Sequence, residues 1–68
     1  MNIEISHGDD ILASYHAELA PSVGDKVIFY DTNIQNNYEV ISREFCFFPD
    51  GNGGRTCGVV ICIKAVGK

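Results

Sequence analysis

The alternation of apolar and polar residues over positions 11–19 predicts the fold class of this chain. The apolar residues of the segment are Ile11, Ala13, Tyr15, Ala17 and Leu19, and Leu12 alone breaks the pattern. A period of two is typical of a half-buried strand, because successive side chains point to opposite faces. Ala, Leu and Glu also favour helices, but a helix would scatter these apolar residues around its surface. We therefore interpret the segment as a strand; the alternative, a helix, would give an α+β architecture.

Similar patterns elsewhere predict a small all-β domain. The predicted strands cover residues 2–6, 11–19, 26–30, 38–48 and 56–66, within a single domain of residues 1–68. Turn-rich stretches separate them, and Pro49-Asp50-Gly51-Asn52-Gly53-Gly54 carries the strongest turn signal. We expect a five-stranded antiparallel meander that curls into a barrel or half-barrel, since closure protects strand edges. The predicted core comprises Tyr15, Leu19, Val27, Phe29, Val40, Ile61 and Ile63.

The last hairpin also has a predicted register. Placing Phe48 opposite Arg55 brings Glu39 opposite Lys64, an opposite-charge pair that stabilises a sheet. The same register pairs Val40 with Ile63 and Tyr38 with Ala65. It also places Phe45 over Gly58 and Cys46 opposite Cys57. A slip of one residue would lose all of these pairs together.

Two stretches in the middle of the chain carry a family resemblance. Pro21-x-Val23-Gly24-Asp25-x-Val27, followed by Tyr38-x-Val40-x-x-Arg43, resembles the entry to small SH3-like barrels. Several uncharacterised small bacterial and phage proteins look similar. The resemblance implies a fold and no particular activity, because its motifs are turn and strand signals. The chain lacks the paired aromatic residues that peptide-binding SH3 domains carry in their first loop, so proline-rich ligands are not implied.

Length and charge narrow the function classes. A chain of 68 residues buries only about 60% of its unfolded surface, which leaves little room for both a core and a deep cleft. An enzyme is therefore not expected. The net charge of −4 comes mainly from acidic residues in the first half, and no basic stripe is present. Binding to nucleic acid or to an anionic membrane is accordingly not expected.

The expected compartment is the cytoplasm. No apolar run approaches the roughly 20 residues that span a bilayer. The first five residues do not combine a basic region with an apolar stretch, as a secretory signal would.

Candidate chemical motifs are weak. Cys46, Cys57 and Cys62 form no C-x-x-C pair, so we interpret them as buried reduced thiols, with a cross-strand Cys46–Cys57 disulfide as the alternative. The Asp50 loop begins like a calcium loop, but Ile61 stands where the pattern needs Glu. His7 lies near two aspartates in what we interpret as a polar turn. No catalytic, cofactor or metal site is predicted.

Apolar residues on both faces of the last two strands predict an interaction surface. One face of a small sheet covers its own core, and the other needs barrel closure, a second copy or a partner protein. The predicted interface residues are Phe45, Phe47, Val60, Ile41 and Arg43. The leading hypothesis is a non-catalytic protein-interaction module, self-associating as a dimer or bound to another protein. The alternative is an acidic inhibitor or mimic of phage type that occupies a basic site on another protein.

Overall fold

Five strands form one curled, half-barrel sheet in the computed structural model, which describes residues 1–67. The strands are β1 (Asn2–His7), β2 (Asp10–His16), β3 (Lys26–Tyr30), β4 (Gln35–Pro49) and β5 (Arg55–Ala65). The all-β prediction is confirmed, and the segment with the ambiguous pattern is a strand as far as His16. Residues 1–67 contain no helix long and apolar enough to cross a membrane. Lys68, the last residue of the predicted domain, lies outside the described residues.

The strand order corrects the predicted meander. The order across the sheet is β2-β1-β5-β4-β3, and β1 runs parallel to β5. Parallel pairing sets Ile3 beside Val59 and Ile5 beside Ile61, so that their apolar side chains share one face. A meander would instead pair β2 with β3. Those two strands lie at opposite edges because residues 17–25, here called the strap, carry the chain from one edge to the other.

The strap crosses the apolar face of the sheet. It leaves β2 beside Met1, where Ala17 exchanges two hydrogen bonds with the N-terminal residue. It ends beside β4, on the side away from β5, where Gly24 N–H donates to the carbonyl of Val40 at 2.9 Å. Between these points Ala17 and Ala20 pack against the core. The strap thus covers the middle of the sheet with small side chains.

The core differs in part from the prediction. The buried residues are Ile3, Ile5, Val40, Val59, Ile61 and Ile63, all on the face that we call the core face. Val27 and Phe29 are half-buried against it. Two predicted core residues are wrong: Tyr15 lies on the exposed edge strand β2, and Leu19 is 84% exposed because β2 has already ended at His16.

A bulge at Ile41 corrects the register of the last hairpin. The predicted pairs of Glu39 with Lys64 and Val40 with Ile63 are confirmed. Beyond Val40 the register shifts by one residue, because Ile41 has no partner on β5. Cys46 therefore pairs with Gly58, and the predicted pairing of Cys46 with Cys57 is wrong.

The bulge also shortens the hairpin loop. The last pair is Pro49 with Arg55, so Phe48 does not face Arg55 as predicted. The Asp50 carboxylate accepts hydrogen bonds from the N–H groups of Asn52 at 2.8 Å and Gly54 at 3.1 Å. This carboxylate satisfies the backbone of a tight turn, and the predicted turn is confirmed.

Candidate protein-interaction surface

More than half of β4 has a strand neighbour on one side only. On the side of β4 away from β5, β3 pairs with Gln35 through Glu39, and the strap forms hydrogen bonds with Val40. Within the described part of the chain, residues 41–49 have no backbone partner on that side. We call residues 41–49 the open β4 edge. Unpaired N–H and C=O groups along such an edge form a template for another strand.

The open β4 edge carries three exposed phenylalanines. Phe45 is 45% exposed, Phe47 is 61% exposed and Phe48 is 57% exposed. Phe45 pairs with the buried Val59, so it lies on the core face, at the edge of the sheet. Phe47 lies one step further out on that face, opposite Cys57. The core face therefore continues without interruption into an exposed aromatic surface.

Arg43 is held in place between the strap and this aromatic surface. Its Nη1 donates to the hydroxyl of Ser22 at 3.1 Å and, at 3.5 Å, to the carbonyl of Ala20. The guanidinium carbon lies 5.2 Å from the centre of the Phe45 ring, within the range of a cation–π contact. The side chain is thus ordered before any partner arrives, which lowers the entropic cost of binding.

The predicted interface residues divide between two faces. Arg43, Phe45 and Phe47 lie on the core face, whereas Val60 pairs with Glu44 and lies on the opposite, outer face. The bulge is the cause, because the predicted register without it would have set Val60 opposite Arg43, on the same face as Phe45 and Phe47. Ile41 sits in the bulge itself and is exposed. Three of the five residues are therefore brought together on one face.

The outer face has a shallow cleft of its own near the hairpin. The cleft measures about 100 Å³ and is lined by Asn2, Glu4, Cys46, Phe48, Gly58, Val59 and Val60. The Phe48 ring lies over Gly58, since its Cε2 atom is 3.5 Å from where a glycine Cβ would stand. The covering role predicted for Phe45 falls to Phe48 because of the bulge. Phe48 was not among the predicted interface residues, although the run of four apolar residues from 45 to 48 contains it.

The cysteines are free thiols. Cys46 lies on the outer face and Cys57 on the core face, so their side chains diverge and the alternative of a disulfide is wrong. Removal from water and the neighbouring Glu44 carboxylate raise the pKa of the Cys46 thiol. The Cys46 Sγ atom lies 3.8 Å from Glu44 Oε1. The thiol is thus kept protonated, and a protonated thiol is a poor nucleophile.

Other candidate groups have structural roles. His7 packs edge-on against Tyr38 at 5.3 Å, and Tyr38 against Phe29 at 5.7 Å, so the imidazole joins an aromatic cluster at the end of β4 away from the hairpin loop. A second cavity, of about 270 Å³, lies beside β3 and Val66. Among residues 1–67, no three His, Cys, Asp or Glu side chains form a group that could hold a metal ion.

Comparison of the chain with known protein families, with curated proteins and with solved structures gave no match. The geometry of the open β4 edge and its aromatic side chains is therefore the basis for a functional proposal.

Proposed function

We propose that this protein is a non-catalytic protein-interaction module. Its binding surface comprises the open β4 edge together with Arg43, Phe45 and Phe47 on the core face. The observation that carries the proposal is the coincidence of an unpaired edge with exposed aromatic side chains on the same segment. An added strand gains main-chain hydrogen bonds along the edge, and pockets between alternate side chains give it specificity.

The side chains of this surface belong to the types that dominate binding energy in interfaces. Aromatic residues and arginine are enriched at the centre of interfaces, where they are desolvated. Here Arg43 already contacts the Phe45 ring, and Phe47 stands free beside them. Val60 and Ile41 contribute less in this proposal, because Val60 lies on the other face and Ile41 lies at the bulge.

A cytoplasmic location suits such a module. All three cysteines are free, and reduced thiols persist in a reducing compartment. The resemblance to SH3-like barrels stays a prediction about fold, and the proposed mode of binding does not depend on it.

An acidic inhibitor or mimic stays the alternative. One feature favours it on the outer face, where Glu4 and Glu44 both pair with Val60 and flank it. Binding of that kind would weaken strongly as salt is raised, because exposed charge pairs are screened. Binding through Phe45 and Phe47 would change little with salt.

Site-specific photo-crosslinking tests the proposed surface. A benzoylphenylalanine photoprobe replaces Phe47, and a control carries the same probe in place of Tyr30, an exposed aromatic residue on the edge strand β3. Both chains are irradiated in a lysate, and adducts are identified by mass spectrometry. We expect a discrete protein adduct from position 47 only. Equal labelling from both positions, or none from position 47, would contradict the proposal.

A further inference from the structure

We propose that the strand bound to the open β4 edge is the same edge of a second copy of this chain. The two edges run antiparallel, with Phe45 opposite the partner's Phe45, and the two sheets become one. This inference rests on the proposed function, since it identifies the partner of that surface.

The length of the open edge selects the register. When two identical edges pair around a two-fold axis perpendicular to the sheet, one residue lies on the axis opposite the same residue of the partner. The residues that pair on either side of it lie on the same face of the sheet. Residues 41–49 are centred on Phe45. The register centred there uses the whole open edge of both copies, whereas a centre nearer either end leaves part of each edge unpaired.

Charge selects the same register. A centre at Arg43 or at Glu44 would set two like charges directly opposite each other, which destabilises a sheet. The centre at Phe45 sets Arg43 opposite the partner's Phe47 and Glu44 opposite the partner's Cys46. Each guanidinium, already 5.2 Å from the Phe45 ring of its own chain, then gains a second aromatic neighbour. On the core face, Phe45 and Phe47 of each copy then lie beside Phe45 of the other copy.

The nearest competing register is centred on Cys46. It pairs Phe45 with the partner's Phe47, but it moves Arg43 opposite the partner's Pro49 and leaves residues 41 and 42 unpaired. It would also bring the Cys46 thiols of the two copies face to face. This last difference makes the two registers distinguishable by disulfide formation.

The other two open edges are poorer templates. The β2 edge carries a bulge at Leu12, where the register with β1 shifts. The β3 edge has only five residues and begins with Lys26. Bulges, short strands and lysines are the devices that prevent edge-to-edge pairing. On β4 the bulge and Pro49 lie at the two ends, so the stretch between them is left regular.

Disulfide trapping tests the register. In the variant Glu44→Cys the introduced thiol would face Cys46 of the partner subunit, and the glutamate is exposed, so the fold should tolerate the change. Directly opposed residues have Cα atoms about 4.5–5.5 Å apart, within disulfide range. In the unmodified chain the two Cys46 residues would be diagonal neighbours, about 7–8 Å apart, which exceeds that range. Tyr30→Cys on the β3 edge serves as the control.

We expect mild oxidation to convert most of the Glu44→Cys chain into a covalent dimer, with peptide mapping showing bonds between position 44 and Cys46. The unmodified chain and Tyr30→Cys should remain uncrosslinked. A Cys46–Cys46 dimer of the unmodified chain would overturn the register. Sedimentation as a monomer up to millimolar concentration, with no trapped dimer, would overturn self-pairing altogether. In that event a photo-adduct between position 47 and a different protein would leave the proposed function standing, whereas no adduct would remove both.

Discussion

The two halves of the β4–β5 ribbon, before and beyond the bulge at Ile41, have different neighbours in the sheet. Up to Val40 the ribbon is flanked by β3 and the strap, and there Val40 and Ile63 are buried. Beyond the bulge Phe45 and Phe47 are apolar but exposed, because no strand of residues 1–67 pairs with β4 there on the side away from β5. The burial of an apolar strand is therefore decided by its neighbours as much as by its own residues. In this chain the half without neighbours is the candidate binding surface.

The largest expected effect is on stability: an alanine substitution should cost far more unfolding free energy in the flanked half of the ribbon than in the exposed half. Ile63→Ala removes a buried side chain from the flanked half and should lower the free energy of unfolding by about 2–5 kcal/mol. Phe47→Ala, in the exposed half, should change it by about 0.5 kcal/mol. Urea denaturation of both variants measures the difference. Equal losses would mean that the hairpin end is packed as tightly as the core.

A smaller effect concerns self-association. Phe45→Arg would set two guanidinium groups opposite each other across the proposed two-fold axis. We expect the dimer Kd to rise at least tenfold, or about 1.4 kcal/mol, with the monomer still folded. Sedimentation velocity over a concentration series measures the shift. Tyr30→Arg, the matched change on β3, should leave the Kd unaltered, and an equal rise in both variants would argue for non-specific charge repulsion.

The next largest effect concerns the contribution of Arg43, which links the strap to Phe45, to the stability of the fold. Arg43→Met removes the hydrogen bond to Ser22 and the contact with the Phe45 ring, and it should cost about 1 kcal/mol of unfolding free energy. Arg55→Met, an exposed change at the start of β5, is the control and should have little effect. Thermal unfolding monitored by circular dichroism is sensitive enough to compare them. A matching loss in both variants would show that the contacts of Arg43 are not stabilising.

The smallest expected effect is on the reactivity of the Cys46 thiol. Glu44→Gln removes a neighbouring negative charge, so the raised pKa of Cys46 should fall toward that of an ordinary thiol. At a mildly alkaline pH below that pKa, more thiolate is then present, and alkylation of Cys46 by iodoacetamide should be faster. Peptide mass spectrometry resolves Cys46 from the other two cysteines. Glu4→Gln should accelerate the reaction less, because Glu4 contributes least to the shift. The reverse order would contradict the assigned cause.

Much of the fold follows from local pattern. Alternation and turn residues locate all five strands, and the Glu39–Lys64 pair fixes the register at the open end of the last hairpin. The bulge at Ile41 could not be predicted, because an extra residue in a strand leaves the run of apolar residues intact. That one residue moves Phe45 and Phe47 onto the core face, away from Val60, and separates Cys46 from Cys57.

The order of the strands is a non-local property. Ile3 and Ile5 were visible as apolar residues, but their burial depends on parallel pairing with β5, more than 50 positions away. Local alternation extended β2 to Leu19, although the chain has by then turned into the strap. The open β4 edge escaped prediction for the same reason, since it exists only because β3 stops short. The aromatic residues of the surface were nevertheless identifiable from the apolar run at 45–48.

Hydrogen exchange at increasing protein concentration tests the central claim most directly. If residues 41–49 pair with a second copy, amides in this segment that face outward should exchange more slowly as concentration rises, because added strand hydrogen bonds protect them. Amides on the open edges of β2 and β3 should keep the same rates. Uniform rates across all three edges, over a range in which sedimentation reports a dimer, would contradict pairing through β4.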